Sequence, residues 1–137
     1  MNRPVIEHQE ELLTAARAVR LNAHAPYSNF LVGAALLDEQ GRIHAGCNVE
    51  NAAYPQGLCA EAGALAHLVA AGGKRIVAAA VVGNGEPLVT PCGGCRQKLR
   101  EFAVDDTPVW VGDLQQLRAR FTLGELLPAS FGPEHLA

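Results

Sequence analysis

In "VIEHQEELLTAARAVRLNAHAP", Leu12, Ala16, Val19 and Ala23 recur at helical spacing among charged and amide side chains. That period predicts an amphipathic helix, closed at Pro26. "FLVGAALLDEQGRIHAGCNVE" then changes to shorter apolar runs, which read as two strands. The turn around "DEQGR" is too short for anything but an antiparallel hairpin. "LCAEAGALAHLVAAGG" returns to helical spacing, with Leu65, Leu68 and Val69 on its expected buried face and Gly72-Gly73 as its stop. "RIVAAAVVG" is continuously apolar, as in a strand covered on both faces. "PCGGCRQKLREFA" predicts a third helix opening at Pro91. "PVWVGD" reads as a fourth strand, "RARFTLGE" as a fifth, and "GELLPASF" as a short helical turn.

Strands alternating with helices place the chain in the α/β class, with a central sheet and helices on its faces. Only "GDLQQL" separates the last two strands, so that pair should be antiparallel and the sheet mixed. The 137 residues suit one compact domain, residues 1–137, with no repeat, low-complexity tract or linker. A composition 49% hydrophobic and 18% charged is that of a soluble globular protein. A net charge of -3 without any run of Lys or Arg argues against a nucleic-acid polymer as partner. No apolar segment approaches the roughly 20 residues that cross a bilayer. Charge and amide side chains interrupt "MNRPVIEHQEELL", unlike a secretory signal. The expected location is the cytoplasm, with no membrane partner.

Four cysteines add chemistry to this scaffold: Cys47, Cys59, Cys92 and Cys95. In a cytosolic chain such a set is more often metal-binding or catalytic than disulfide-bonded. Cys59 stands at the start of the second helix, and Cys92 and Cys95 at the start of the third. Such helix starts converge at one edge of a sheet, where α/β proteins tend to keep their sites. "CGGC" is a loop tight enough for two thiolates to hold one ion, and helix N-termini favour thiolates. Three thiolates fill three places of a tetrahedral zinc and leave the fourth to water, the mark of a catalytic site. His67 is eight residues along the helix from Cys59, roughly 12 Å at about 1.5 Å per residue, too far to close the site. His8, His24, His44 and His135 have no ligand-like spacing and read as surface or packing residues. Cys47 follows a strand and reads as a small buried hydrophobe. Glu61, two residues past Cys59, is placed to exchange a proton with the water. C-A-E followed by P-C-x-x-C resembles the zinc deaminase signature in its three-cysteine form.

With those motifs in place, the sequence resembles cytidine deaminase, the small homotetrameric enzyme of free nucleosides. The resemblance runs from "APYSNFLVGAAL" through "GCNVENAAYPQGLCAE" and "TPCGGCRQ" to "ELLPASF". It implies a three-layer α-β-α sandwich around a five-stranded mixed sheet. It implies one zinc per chain, held by Cys59, Cys92 and Cys95, with Glu61 as proton shuttle. By the same resemblance Asn48 and Glu50 bind the ribose hydroxyls, Phe30 packs on the pyrimidine, and the backbones of Ala60 and Thr90 hold the base. Phe131 reaches into a neighbouring subunit's site, so the sites lie at subunit interfaces of a homotetramer. The implied reaction is hydrolytic deamination of cytidine and deoxycytidine to uridine and deoxyuridine with release of ammonia, in pyrimidine salvage. One position departs from the pattern: family members with three Cys ligands commonly carry Arg directly after the Glu, where Ala62 stands here.

Read from the residues alone, several of these positions have plainer roles. Phe30 precedes an apolar strand and reads as core. Asn48, Glu50 and Asn51 read as polar loop residues. Phe131 reads as a cap near the end of the chain. Three rival functions also remain open on the sequence: a deaminase of another aminopyrimidine nucleoside, a structural zinc module with Cys47 as fourth ligand, and a CxxC redox protein.

Overall fold

The computed structural model describes residues 4–137, with side chains from residue 8 onward. The elements run α1 (Pro4–Arg20), β1 (Val32–Asp38), β2 (Ile43–Cys47), α2 (Ala60–Ala70), β3 (Ile76–Gly83), α3 (Gly93–Arg100), β4 (Pro108–Gly112), β5 (Leu117–Thr122) and α4 (Leu123–Leu126). Short 3-10 turns occupy Tyr54–Gln56 and Pro133–His135. The five strands form one sheet in the order β2-β1-β3-β4-β5. β3 and β4 are parallel across the α3 connection, and the other neighbouring pairs are antiparallel. This is the mixed sheet with an antiparallel last pair that the short "GDLQQL" connection predicts.

Side chains alternate across a strand, so the apolar runs feed two cores. Ala34 and Leu36 of β1 and Ala79 and Val81 of β3 face one side, with Ala60, Ala64 and Leu68 of α2, Leu99 of α3 and Leu123 of α4. Ala35, Leu37, Ala78, Ala80 and Val82 face the other, with Leu12, Leu13 and Ala16 of α1 and Trp110 of β4. The result is three layers, helix on sheet on helix. Two glycines let the helices press on the β1–β2 hairpin backbone. A Cβ on Gly33 would lie 1.9 Å from the Ala16 carbonyl oxygen. A Cβ on Gly46 would lie 2.3 Å from the Ala64 nitrogen and 2.6 Å from the Ala60 oxygen. The second contact seats the first turn of α2.

Several boundaries differ from the sequence reading. α1 ends at Arg20, well before Pro26, because the chain turns out to bond elsewhere. The His24 N–H donates to the Asn48 carbonyl at 3.0 Å, and the Glu50 N–H to the His24 carbonyl at 2.7 Å. Ala23 therefore belongs to a loop. Val69 is 48% exposed, because the buried stripe of α2 is Ala60, Ala64 and Leu68 at a spacing of four, with Leu65 at its margin. Pro91 precedes α3 rather than opening it, and α4 starts earlier than expected, on a capping box between Thr122 and Glu125.

Of the two roles open to His44, surface or packing, the structure shows packing. His44 is buried in β2, with Nε2 2.8 Å from Asp38 Oδ2 and Nδ1 2.8 Å from His67 Nδ1. Arg42 donates from Nε to Asp38 Oδ2 at 2.8 Å and from Nη1 to the Ala71 carbonyl at 2.9 Å. This polar group ties the hairpin to the C-terminal half of α2 and engages His67 there. Among the described residues, no helix is long and apolar enough to cross a membrane.

Candidate active site

α2 and α3 begin in the same way. Cys59 is the N-cap of one (φ -76°, ψ 156°) and Cys92 the N-cap of the other (φ -68°, ψ 167°), both with extended backbone. Cys59 and Cys92 thus precede the first helical turns instead of lying in them. Cys95 is the third residue of α3 and is buried. The three sulfurs lie within 4.8 Å of one another. Among the described residues this is the one such grouping of three His, Cys, Asp or Glu side chains. Cys47 stays outside it, half-buried at the end of β2, so the fourfold sulfur site of the structural-zinc reading is absent among the described residues. All four cysteines are free thiols.

Zinc–sulfur bonds of about 2.3 Å in a tetrahedron put the sulfurs about 3.8 Å apart, within the observed limit. The protonation of the thiols points the same way. Burial pushes the Cys59 thiol up, and it pushes Cys95 well above the usual thiol range, helped by the charges of Glu61 and Cys59. Cys92 alone is lowered. Neither N-cap sulfur makes a conventional cap hydrogen bond, yet the Cys95 N–H, and to a lesser degree that of Gly94, favours the Cys92 thiolate. Three thiols this close cannot all ionise unaided; a divalent cation replaces their protons. Three sulfur donors at two helix starts suit zinc.

Glu61 is the second residue of α2 and only 5% exposed. Burial raises its carboxyl above the usual carboxylate range; its own N–H, the Cys95 side chain and the charge of Lys98 partly offset the rise. It therefore lies against the sulfur cluster without being part of it. Ala60, buried between Cys59 and Glu61, contributes the first N–H of α2, which has no partner within its helix.

The chain leading to Cys59 is held as a short ribbon: Val49 and Leu58 exchange backbone hydrogen bonds at 2.9 and 2.8 Å. Asn48 and Glu50 flank Val49. Asn48 accepts from the Val32 N–H at 2.9 Å and donates to the Phe30 carbonyl at 2.9 Å. Glu50 accepts from the Ser28 hydroxyl, from the Tyr27 N–H at 2.9 Å and from the Ser28 N–H at 3.1 Å. Those bonds, the Ser28 hydroxyl foremost, keep its carboxyl below its ordinary range and ionised. Both residues thus shape the Tyr27–Val32 loop. Phe30 on that loop is 40% exposed, so it is not core; it shares a hollow with Leu88, Val89 and Thr90. A second hollow, of about 360 Å³, is lined by Tyr27, Ser28, Glu50, Asn51, Tyr54 and Gly57.

Arg96 fixes the approach to Cys92. It donates from Nε to the Pro91 carbonyl at 2.6 Å, from Nη1 to the Leu126 carbonyl at 2.8 Å and from Nη2 to Thr90 Oγ1 at 3.1 Å. Phe131 is not brought to this place. It stacks on His135 with ring centroids 4.7 Å apart and borders a different hollow, with Gln97 and Gly132.

The sequence reading did not single out Tyr27, Ser28 or Tyr54. Their signal was available in "APYS" and "AAYP", which put tyrosines beside prolines in polar loops, where an aromatic ring has no core to fill. The two rings meet edge-on at 5.7 Å.

A family model for the cytidine and deoxycytidylate deaminase zinc-binding region matches residues 6–111. The cytidine deaminase of Sporosarcina psychrophila is 42% identical over 128 residues, 93% of this chain and 94% of that protein. The crystal structure of cytidine deaminase from Burkholderia pseudomallei superposes with a TM-score of 0.84 at 43% identity, over 90% of this chain and 98% of that one. Cytidine deaminase from Mycobacterium tuberculosis superposes with a TM-score of 0.79 at 38% identity, over 90% and 96%.

Proposed function

The chain belongs to the cytidine and deoxycytidylate deaminase family, and from that premise we propose that it hydrolyses the 4-amino group of cytidine and deoxycytidine. Water adds at C4 of the base, ammonia leaves, and uridine or deoxyuridine is the product. The observation that carries this reading is the buried Glu61 carboxyl set against three clustered sulfurs at two helix starts.

Cys59, Cys92 and Cys95 would hold the zinc. The chemistry a bound zinc supplies is Lewis-acid activation of water near neutral pH. Glu61 moves the protons: it takes one from the attacking water and delivers it to N3, then takes the proton of the new C4 hydroxyl and passes it to the amine, which leaves as ammonia while the C4 carbonyl forms. Its raised basicity suits both halves of that task. The first N–H of α2, at Ala60, is a donor for the base's O2. The Thr90 carbonyl, on the segment braced by Arg96, is an acceptor for its amino group. Phe30 offers its exposed ring to the pyrimidine. Asn48 and Glu50 retain donor and acceptor capacity for ribose hydroxyls beyond the loop contacts they already make.

The working unit in this reading is a homotetramer with sites at subunit interfaces. Phe131 supports it: the ring is 56% exposed and has no place in its own chain's site. Leu21, Tyr54 and Val69 add further exposed apolar surface. A net charge of -3 favours free nucleosides over polymers, with cytoplasmic pyrimidine salvage as the setting.

The test is ammonia release by purified, zinc-loaded protein, offered cytidine, deoxycytidine, free cytosine and other aminopyrimidine nucleosides. Cytidine and deoxycytidine should be turned over and free cytosine poorly. Turnover of a different nucleoside in preference to both would reassign the substrate. No ammonia from any of them would overturn the reading.

A further inference from the structure

Between β3 and α3, residues 84–90 follow neither helix nor strand, yet they wall part of the site. Gly85, Leu88, Val89 and Thr90 line a hollow of about 260 Å³ together with Phe30. Among the described residues, no backbone–backbone hydrogen bond outside the helices and strands reaches residues 85–90. The segment therefore depends on side chains to hold its shape. Its far end is fixed by Arg96, on the Pro91 carbonyl and Thr90 Oγ1, and by Val89 against Gly83, where a Cβ would meet Val89 Cγ2 at 2.8 Å. Its near end has a different holder. Arg118 of β5 donates from Nη2 to the Glu86 carbonyl at 2.8 Å and from Nη1 to the Gly85 carbonyl at 3.3 Å.

We propose that Arg118 is a positioning residue for the base, a clamp that holds residues 84–90 in place as one wall of the pyrimidine site. A guanidinium presents its donors in a rigid planar fork, so one side chain fixes two successive carbonyls, which the point charge of an ammonium does not. The fork is itself held: β5 pairs with β4, and Asp113 Oδ2 lies 3.7 Å from Arg118 Nη1. Asp113 is braced in turn by the N–H groups of Gln115 and Gln116, at 2.8 and 2.9 Å. Gly85 takes φ +141°, a conformation side chains rarely adopt, so the bend gripped by Arg118 is one that glycine alone enters cheaply. Arg120 lies two residues along on the same face of β5, and it turns to α1 instead, donating to Gln9 Oε1 at 3.2 Å. Without the clamp, Leu88 and Thr90 keep only the anchor on the α3 side. The clamp serves substrate binding and not the proton transfers, because its contacts are with the wall and not with Glu61 or the sulfurs.

The role rests on the deamination reading above. Steady-state kinetics on cytidine, with the inhibition constant of the product uridine, are compared for zinc-loaded native protein, Arg118→Ala, Arg118→Lys and Arg120→Ala. Arg118→Ala should raise KM and the uridine constant together by about three- to tenfold, the size of one or two exposed hydrogen bonds from a charged donor. Its kcat should stay within about twofold of native, as when binding common to substrate and transition state is lost. Arg118→Lys should recover part of the loss, since an ammonium reaches one of the two carbonyls. Arg120→Ala removes the same charge from the same face of β5 and should match native. A merely structural role would lower the folded fraction, and so kcat, with KM unchanged; thermal melting and zinc content measure that fraction. Native KM and uridine constant in folded Arg118→Ala, or an equal rise in Arg120→Ala, would overturn the clamp while leaving deamination standing. Native protein that releases no ammonia from cytidine would overturn both.

Discussion

In the proposed reaction Glu61 carries the proton transfers, and removing its charge separates two roles it could play. As a proton shuttle outside the sulfur group, Glu61→Gln should keep its zinc and lose about 10²–10⁴ of turnover, the usual contribution of a general acid–base group. Loss of zinc, measured by elemental analysis alongside the rate, would make it a ligand instead. Asp38 supports the opposite end of α2. Burial alone would raise its carboxyl, but the bonds from His44, Arg42 and Gln40 hold it far below its ordinary value of 3.8. A lowered carboxyl stabilises the fold above its unfolded value and loses that contribution as pH falls through the folded one. Asp38→Asn should therefore cost about 2 kcal/mol near neutral pH and flatten the acid-side loss of stability below about pH 4, read by urea unfolding at several pH values. The cysteine cluster was legible in the sequence because Cys92 and Cys95 sit within one turn of each other and Cys59, like Cys92, stands where a helix begins. The Asp38–His44–His67 group was not. Its members touch only after the hairpin forms and α2 packs on it, and no local spacing records that.

At the level of elements, the site depends on how two helix starts are seated. α2 is set by backbone contact with Gly46, where a Cβ would meet main-chain atoms of Ala60 and Ala64 that cannot rotate away. Gly46→Ala should cost about 1–3 kcal/mol, as overpacking does, and weaken zinc retention because Cys59 moves with the helix. Gly41→Ala is the matched control. Its φ of +84° strains any side chain, yet a Cβ there meets nothing within 4 Å, so stability should fall by about 1 kcal/mol with zinc retention unchanged. Urea unfolding and chelator transfer on both variants make the comparison, and equal zinc retention in the two would sink it. The elements themselves were mostly readable, since alternation and helical period are local. The errors fell where a tertiary bond competed with local pattern. α1 stops at Arg20 because His24 pairs with Asn48 and Glu50, and Val69 faces out because α2 buries small residues four apart, not its larger side chains.

For the whole molecule, the sequence pattern says least, because an apolar residue near the chain end looks the same whether it caps its own fold or enters a neighbour's site. The structure of one chain leaves Phe131 exposed beside His135, in a hollow separate from Glu50 and Phe30. If each site takes Glu61 from one subunit and Phe131 from another, two inactive proteins can repair each other. Glu61→Gln chains lack the shuttle and keep the ring; Phe131→Ala chains lack the ring and keep the shuttle. Mixed by unfolding and reassembly at equal amounts, a site needs its shuttle from a Phe131→Ala chain and its ring from a Glu61→Gln chain. Random pairing in a closed assembly supplies that combination in about a quarter of the sites. Activity should rise to about that fraction of native, with sedimentation showing a tetramer and zinc content unchanged. If Phe131 served its own chain's site, every site with Glu61 would still lack the ring, and mixing would bring no recovery.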